Sequence, residues 1–194
     1  MPILGVTASS ISGHLFTDTG VMFPIGMVQV GSGGAADVTF SSIPSTYKHL
    51  QIRFIGRLSR ASAGTGFQMR FNDVATTAAY YQSHRLQGNG SSATAGADGT
   101  ATVLNFDRIA AGNDSANVFG AGIIDILDYA STNKNKVNRS LIGYDNNGSG
   151  QIVFSSNMWL TSNTAINKIV FYPDGFSGTW EQYTQFALYG IKGE

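Results

Sequence analysis

Residues 183–194, YTQFALYGIKGE, decide the fold class of this chain. Successive side chains alternate between two faces, and apolar residues occur on both of them. One face carries Phe186, Leu188 and Gly190, and the other carries Gln185, Ala187 and Tyr189. A period of two with apolar residues on both sides predicts a closing β-strand that is at least partly covered on both faces. We therefore expect the chain to end inside its own sheet, with no further C-terminal domain.

The same period of two recurs along the chain from residue 27. It predicts a hairpin in which Val28 and Val30 are joined by the glycine turn 31–34 to Val38 and Phe40. Further strands are predicted at 49–58, 67–72, 80–86, 103–109, 117–129, 137–145, 151–160, 166–172 and 182–192. Turn clusters such as DNNGSG at 145–150 and PDGFSG at 173–178 separate the later ones. No segment has the period of an amphipathic helix.

About ten short strands without a helix predict an all-β fold of two packed antiparallel sheets. A jelly-roll-like sandwich is the commonest way to bury that many strands with protected edges. Strand order does not follow from the sequence. The first and last strands often lie near each other in such sandwiches, so we expect the N-terminal arm beside the closing strand.

Two segments break the strand pattern. Residues 1–26 follow neither a helical nor a strand period and are interpreted as an extended N-terminal arm, which leaves 27–194 as one β-sandwich domain. The arm's apolar residues need a partner surface, either on this chain or on a neighbouring subunit. They are Ile3, Leu4, Leu15, Phe16, Met22 and Phe23. Residues 87–100, QGNGSSATAGADGT, contain no apolar anchor and predict a long, mobile loop facing solvent.

Composition restricts the possible partners. Charged residues make up only 12% of the chain and the formal net charge is zero, so no long-range field would steer it to nucleic acid or to an anionic membrane. Low net charge suits a subunit that packs against copies of itself or a larger assembly. The chain has no cysteine, and its first residues, MPILGV, lack the basic and apolar regions of a signal peptide. We expect synthesis in a cytosol.

The sequence offers no catalytic or metal-binding constellation. His14, His49 and His84 have no partner at metal-ligand spacing. The turn 145–150 lacks the alternating acids and distal glutamate of a calcium loop. Asp125 and Asp128 lie in an apolar segment, where a carboxylate needs a partner, and Arg139 or Lys134 could supply one. We therefore expect no enzyme, no cofactor and no metal.

Two aromatic residues are candidate contact residues. Phe176 and Trp180 lie in the glycine-rich segment before the closing strand, where aromatic side chains could anchor a protein interface or stack on a sugar ring. The other aromatic residues of the chain are attributed to packing of the core and the sheet faces.

Several phrases resemble small structural proteins of tailed bacteriophages. They are the opening MPILGVTASSISG, VTFSSIPSTYKHLQIR at 38–53, NVFGAGIIDILDYASTNKNK at 117–136, IGYDNNGSG at 142–150 and QYTQFALYGIKG at 182–193. The resemblance covers most of the domain. It implies a structural protein of the virion that is made in the cytoplasm of the bacterial host. The resemblance does not indicate which role the protein has within the virion.

Two roles within a virion remain open. A capsid decoration or cement protein would clamp neighbouring capsid subunits as a homo-oligomer, with a trimer favoured, through the arm and one sandwich face. A tail-fibre or receptor-binding module would instead present the 87–100 loop and aromatic residues to host surface glycans. Decoration is favoured because the chain has neither a coiled-coil nor a collagen-like stalk.

Overall fold

A computed structural model of the protein describes residues 21–76, 81–160 and 163–193. Within these residues the chain forms twelve β-strands and one short 3₁₀ turn. The strands are β1 (Met22–Gln29), β2 (Val38–Phe40), β3 (His49–Gly56), β4 (Thr65–Phe71), β5 (Tyr81–Gly88), β6 (Ala93–Ala101), β7 (Leu104–Ile109), β8 (Gly120–Leu127), β9 (Lys136–Asn146), β10 (Ser149–Trp159), β11 (Ile169–Pro173) and β12 (Gln185–Ile191), and the 3₁₀ turn spans Asp174–Phe176. The predicted all-β class is confirmed.

The strands form two antiparallel sheets of unequal size. The long sheet has the order β1-β12-β3-β8-β9-β10-β5-β6, and the small sheet has the order β2-β11-β4-β7. The first four strands of the long sheet, taken with the small sheet, have the strand order of a two-sheet jelly roll, which confirms that prediction. The hairpins β5–β6 and β9–β10 are insertions in the chain between strands of this jelly roll. Both extend the long sheet beyond β8.

The core between the sheets is built from the alternating residues that the sequence marks. Leu50, Ile52 and Phe54 of β3 point inward, as do Phe186 and Leu188 of β12. An aromatic cluster continues this core across both sheets, which places edge-to-face and stacked rings at its centre. Its members include Phe54, Phe67, Phe106, Phe171, Trp180 and Phe186.

The predicted hairpin between residues 28 and 40 is wrong, because its two strands belong to different sheets. β1 pairs with β12, and β2 pairs with β11. Gly34 has a φ of 69°, a conformation that favours glycine, and the next residue, Ala35, exchanges backbone hydrogen bonds with Trp180. The connection is therefore held by residue 180, far along the chain, and carries the backbone from one sheet to the other.

The predicted arm, residues 1–26, is only partly covered by the described residues. Ile3, Leu4, Leu15 and Phe16 lie outside them. Residues 22–26 belong to strand β1, so the domain includes more of the chain than predicted. β1 pairs with β12 in antiparallel register, and the Lys192 N–H donates to the Val21 carbonyl. The expectation that the first and last strands lie side by side is confirmed for residues 21–29.

The predicted long loop at 87–100 is also wrong. Ala93–Ala101 forms strand β6, which pairs with β5, and only a short turn joins the two strands. In that turn the Asn89 side chain accepts hydrogen bonds from the backbone N–H groups of Ser91 and Ser92. A ladder of backbone hydrogen bonds needs no large side chains, so small and polar residues can form an edge strand once a partner strand is present.

Candidate functional site

Exposed apolar side chains gather on the outer face of the long sheet, which is the face turned away from the small sheet. We call this set the outer patch. It consists of Ile55, Leu86, Ile123, Leu141, Ile152 and Phe154. Phe154 is 55% exposed and Ile152 is 56% exposed. Single exposed apolar residues are ordinary, whereas a contiguous group of them marks an interaction surface.

Strand register makes the outer patch contiguous. Phe154 of β10 lies opposite Leu86 of β5 on one side and opposite Leu141 of β9 on the other. Leu141 in turn lies opposite Ile123 of β8. With neighbouring strands about 4.8 Å apart, this row of four side chains crosses roughly 14 Å of the sheet. A patch of this size is suited to the centre of a protein interface, with a polar rim around it.

A groove of about 860 Å³ borders the row. Ile152 lies between Gly88 and Gly143 in the neighbouring strands. Because glycine has no side chain, the outer surface of the sheet is recessed on both sides of Ile152. Leu141 and Ile123 form part of the wall, and Arg53 also lines the groove. The exposed surface of the groove is therefore mostly apolar, although Arg53, Asp145 and Gln151 also contribute to its lining.

Asp125 and Asp128, at the end of β8, are both paired within the chain. Asp125 accepts a hydrogen bond from Gln51 at 2.8 Å and one from Arg139 at 3.2 Å. Asp128 pairs with Lys134 at 2.6 Å and with Lys48 at 3.1 Å. The hydrogen bonds from these two lysines, Lys134 above all, lower the pKa of Asp128 to about 2. The predicted pairing of both aspartates is confirmed, and these carboxylates are structural.

The inner face of β9 and β10 buries polar side chains among the apolar residues Ile142, Val153 and Trp159. The hydroxyl groups of Ser140 and Ser155 share a hydrogen bond of 2.6 Å. The side-chain Nδ2 of Asn157 donates to the side-chain Oδ1 of Asn138 at 2.7 Å. All four side chains are buried. These buried polar groups lie on the face opposite Leu141 and Phe154, and Nδ2 of Asn138 and Oδ1 of Asn157 have no hydrogen-bond partner among the described residues.

The predicted contact residues lie in different places in the structure, and they differ in exposure. Trp180 is fully buried and donates a hydrogen bond to the Phe171 carbonyl, so its prediction as a contact residue is wrong. Phe176 is half-exposed on the 3₁₀ turn, where it packs against Tyr172 and the guanidinium of Arg70. Met22 and Phe23 lie on the edge strand β1, with Phe23 stacked on Tyr47. None of these residues belongs to the outer patch.

Sequence reasoning missed the outer patch, although a signal was present. In residues 152–157, IVFSSN, Ile152 and Phe154 alternate with Val153, Ser155 and Asn157. Two large apolar residues therefore share one face, and the opposite face ends in polar side chains. The period predicted the strand correctly but did not say which face would be turned inward.

A second, polar pocket of about 270 Å³ lies against the small sheet. Its lining comes from β4 and β7, from the hairpin β5–β6 and from the 3₁₀ turn. The residues are Gly66, Phe67, Gln68, Arg85, Asp98, Asn105, Phe106, Asp107 and Asp174. Within the described ranges no group of three or more histidine or carboxylate side chains is arranged to hold a metal ion. In those same ranges no helix has the length and apolar character needed to span a membrane.

No family model matches the chain, and no curated protein matches it. Among solved structures, galectin LEC-6 of Caenorhabditis elegans is similar at a TM-score of 0.33 and 10% sequence identity, covering 86% of this chain and 96% of that one. Likeness at this level carries no argument about function.

Proposed function

We propose that this protein is a structural subunit of a tailed-bacteriophage virion, and that it decorates the capsid surface as a homo-oligomer. A trimer is the favoured assembly. The resemblance of its sequence phrases to small phage structural proteins supplies the setting. One observation supports the choice of attachment surface. It is the outer patch, a row of apolar side chains across four strands beside a mostly apolar groove.

The chemistry of the outer patch favours a protein partner. Its side chains are aliphatic and aromatic, and removing such groups from water is favourable by roughly 25 cal/mol per Å² before the costs of association are subtracted. Asp125 is matched by Gln51 and Arg139, and the groove is lined by one residue of each sign, Arg53 and Asp145. The described part of this face therefore carries no row of like charge to attract nucleic acid or anionic lipid. The occupant we propose is an apolar surface of a capsid subunit.

A role in the tail, as a fibre or receptor-binding module, is the second candidate. The two roles differ in copy number, because a decoration protein follows the capsid lattice whereas a tail component follows the symmetry of the tail. Quantitative mass spectrometry of purified virions measures this number directly. Copies on the order of hundreds per particle support decoration, and a few dozen or fewer favour the tail. Absence from the virion would reject both roles.

Attachment through the outer patch has its own test. Leu141→Lys places a charge in the middle of the apolar row, and we expect it to abolish binding of purified protein to particles that lack it. Thr46→Lys introduces the same residue at an exposed position of the loop between β2 and β3, away from the patch, and serves as the control. Deletion of residues 2–20 leaves β1 intact and measures the arm's share of the affinity. Full binding by the Leu141→Lys variant would exclude the outer patch as the attachment surface.

A further inference from the structure

Within the described residues, four strands form the edges of the two sheets, and three of them carry features that oppose pairing with another molecule. β1 contains Pro24 and has a shift in register beside it. β2 is only three residues long. β7 has a shift in register where Arg108 has a φ of 61°. Proline, short length and bulges are the means by which edge strands avoid joining the sheets of neighbouring molecules.

The fourth edge, β6, lacks these features over most of its length. It is the last strand of the long sheet, and among the described strands it pairs with β5 alone. Residues 93–98 keep a regular register with β5, and the register shifts only beyond Asp98. The whole strand, ATAGADGTA, contains no proline, lysine or arginine. The backbone N–H and C=O groups on the free side of residues 93–98 are therefore open to another strand.

Small side chains along β6 allow a second strand to come close. Residues 93–97 are alanine, threonine and glycine, and four of the five are exposed. The charge of Asp98, at the end of this segment, is held by Arg85 at 3.1 Å and by the hydroxyl of Ser83 at 3.1 Å. Neither bulk nor charge along residues 93–97 opposes a partner strand.

The partner that this edge fits is a second copy of the same strand. A foreign peptide that adds to a sheet edge is selected by pockets for its alternate side chains. Ala93, Ala95 and Ala97 line one face of β6 and are too small to form such pockets. Recognition must therefore come from the backbone, and a second copy of β6 brings the same small side chains and the same lack of charge to the contact.

We propose that two copies of the protein pair along β6, in antiparallel register centred on Ala95. The two-fold axis is then perpendicular to the sheet, and Ala93 lies opposite Ala97 of the second copy. This register keeps the contact within the regular part of the strand and leaves Asp98 outside it. Pairing over residues 93–97 forms about six backbone hydrogen bonds, within the range of roughly 5–15 that a typical interface carries.

The pairing places both outer patches on one face of a joined sheet. Ala95 lies opposite Leu86, which ends the apolar row, so the two copies of Leu86 are three strand spacings apart, roughly 14 Å. Both patches can then bind one partner surface, which strengthens attachment through avidity. The contact is two-fold, so in a trimeric decoration protein it links one trimer to the next. It goes beyond the proposed function and does not depend on it, because it forms in the isolated protein.

The first test is sedimentation velocity of the purified full chain across the micromolar range. We expect the mass of the wild type to double as the concentration rises. Ala95→Lys sets two lysines opposite each other and should weaken the pairing at least about tenfold. Met27→Lys is the control, because Met27 is 62% exposed on the other edge of the same sheet, and it should associate as the wild type does. Leu141→Lys should also associate normally, since the outer patch is not part of the contact.

A single cysteine tests the register. The chain has no cysteine, so Ala95→Cys introduces the only thiol. Directly opposite residues of antiparallel strands have Cα atoms about 4.5–5.5 Å apart, within the range of roughly 4.4–6.8 Å that a disulfide spans. Under mild oxidation Ala95→Cys should form a covalent dimer several times faster than Met27→Cys, which carries its thiol on the other edge.

Three results would overturn the proposal. They are a wild-type mass that stays constant over the whole concentration range, association of Ala95→Lys as tight as that of the wild type, and cross-linking of Ala95→Cys no faster than that of Met27→Cys. If Ala95→Lys does not fold, the cysteine variants still decide the outcome. All of these measurements use the isolated protein, so failure of the pairing is distinguishable from failure of capsid decoration, which is measured on particles.

Discussion

Replacing Phe154 by serine should weaken attachment to the partner far more than it weakens the fold. Phe154 is 55% exposed, and a phenylalanine side chain buries about 200 Å² when fully covered, so about 110 Å² remains for a partner. At about 25 cal/mol per Å² this area contributes at most about 2–3 kcal/mol to binding. The loss of affinity should therefore be at most roughly 30-fold to 150-fold.

The part of the ring that is already covered sets the cost to the fold. It packs between Leu86 and Leu141 on the neighbouring strands, and a cross-strand pair of this kind contributes about 0.2–1 kcal/mol. Against a typical stability of about 5–15 kcal/mol the variant should stay folded. Phe176→Ser is the matched control, because Phe176 is 52% exposed but lies on the 3₁₀ turn after β11.

The assay is a titration of purified protein onto particles that lack it, with bound protein measured by quantitative mass spectrometry. Urea denaturation of each variant confirms that the fold is intact. The reasoning would be refuted if Phe154→Ser bound as tightly as wild type. A loss of affinity in Phe176→Ser as large as that in Phe154→Ser would also refute it, and would restore the turn as a contact surface.

Three further outcomes follow from the packing and the charges. Burial raises the pKa of Tyr81 to about 12, so the contribution of this residue to stability is present below pH 10 and is lost as the pH rises from about 10 to 12. Urea denaturation midpoints measured across this range should fall for the wild type and change less for Tyr81→Phe. The pKa of Asp128 is lowered to about 2, so its contribution is lost as the pH falls from about 4 to 2, and acid titration of Asp128→Asn should lack this step. A Cβ at Gly190 would collide with the ring of Tyr47, and we expect Gly190→Ala to lower the free energy of unfolding by about 1–3 kcal/mol in urea denaturation, whereas an unchanged value would contradict the packing.

Local patterns predicted the strands well where large residues alternate. Leu50, Ile52 and Phe54 of β3 lie in the core as their spacing indicates. β6 was missed because its residues are small and its ladder is made by the backbone, for which composition gives no signal. Trp180 was misplaced because the backbone at Ala35 and Leu58 pairs with residue 180, and contacts so distant in sequence are set by topology.

The candidate sites were less predictable than the fold. The sequence does not indicate which face of the hairpin β9–β10 turns inward, because both faces carry large apolar residues: Val153 is buried, whereas its neighbour Phe154 is exposed. The polar pocket depends on Gln68, Asn105 and Asp174, which come from three distant segments. Sequence analysis correctly predicted the partners of Asp125 and Asp128, because they lie nearby along the chain.

The place of β12 between β1 and β3 affects how the protein is made. Until residues 185–191 have left the ribosome, β1 and β3 have no common neighbour in the long sheet, and each presents an unpaired edge. The inserted hairpins pair locally and can form earlier, whereas the jelly-roll core has to wait for synthesis of its last strand. A growing chain that has not yet reached residues 185–191 therefore exposes unpaired strand edges, which favours a chaperone that shields them.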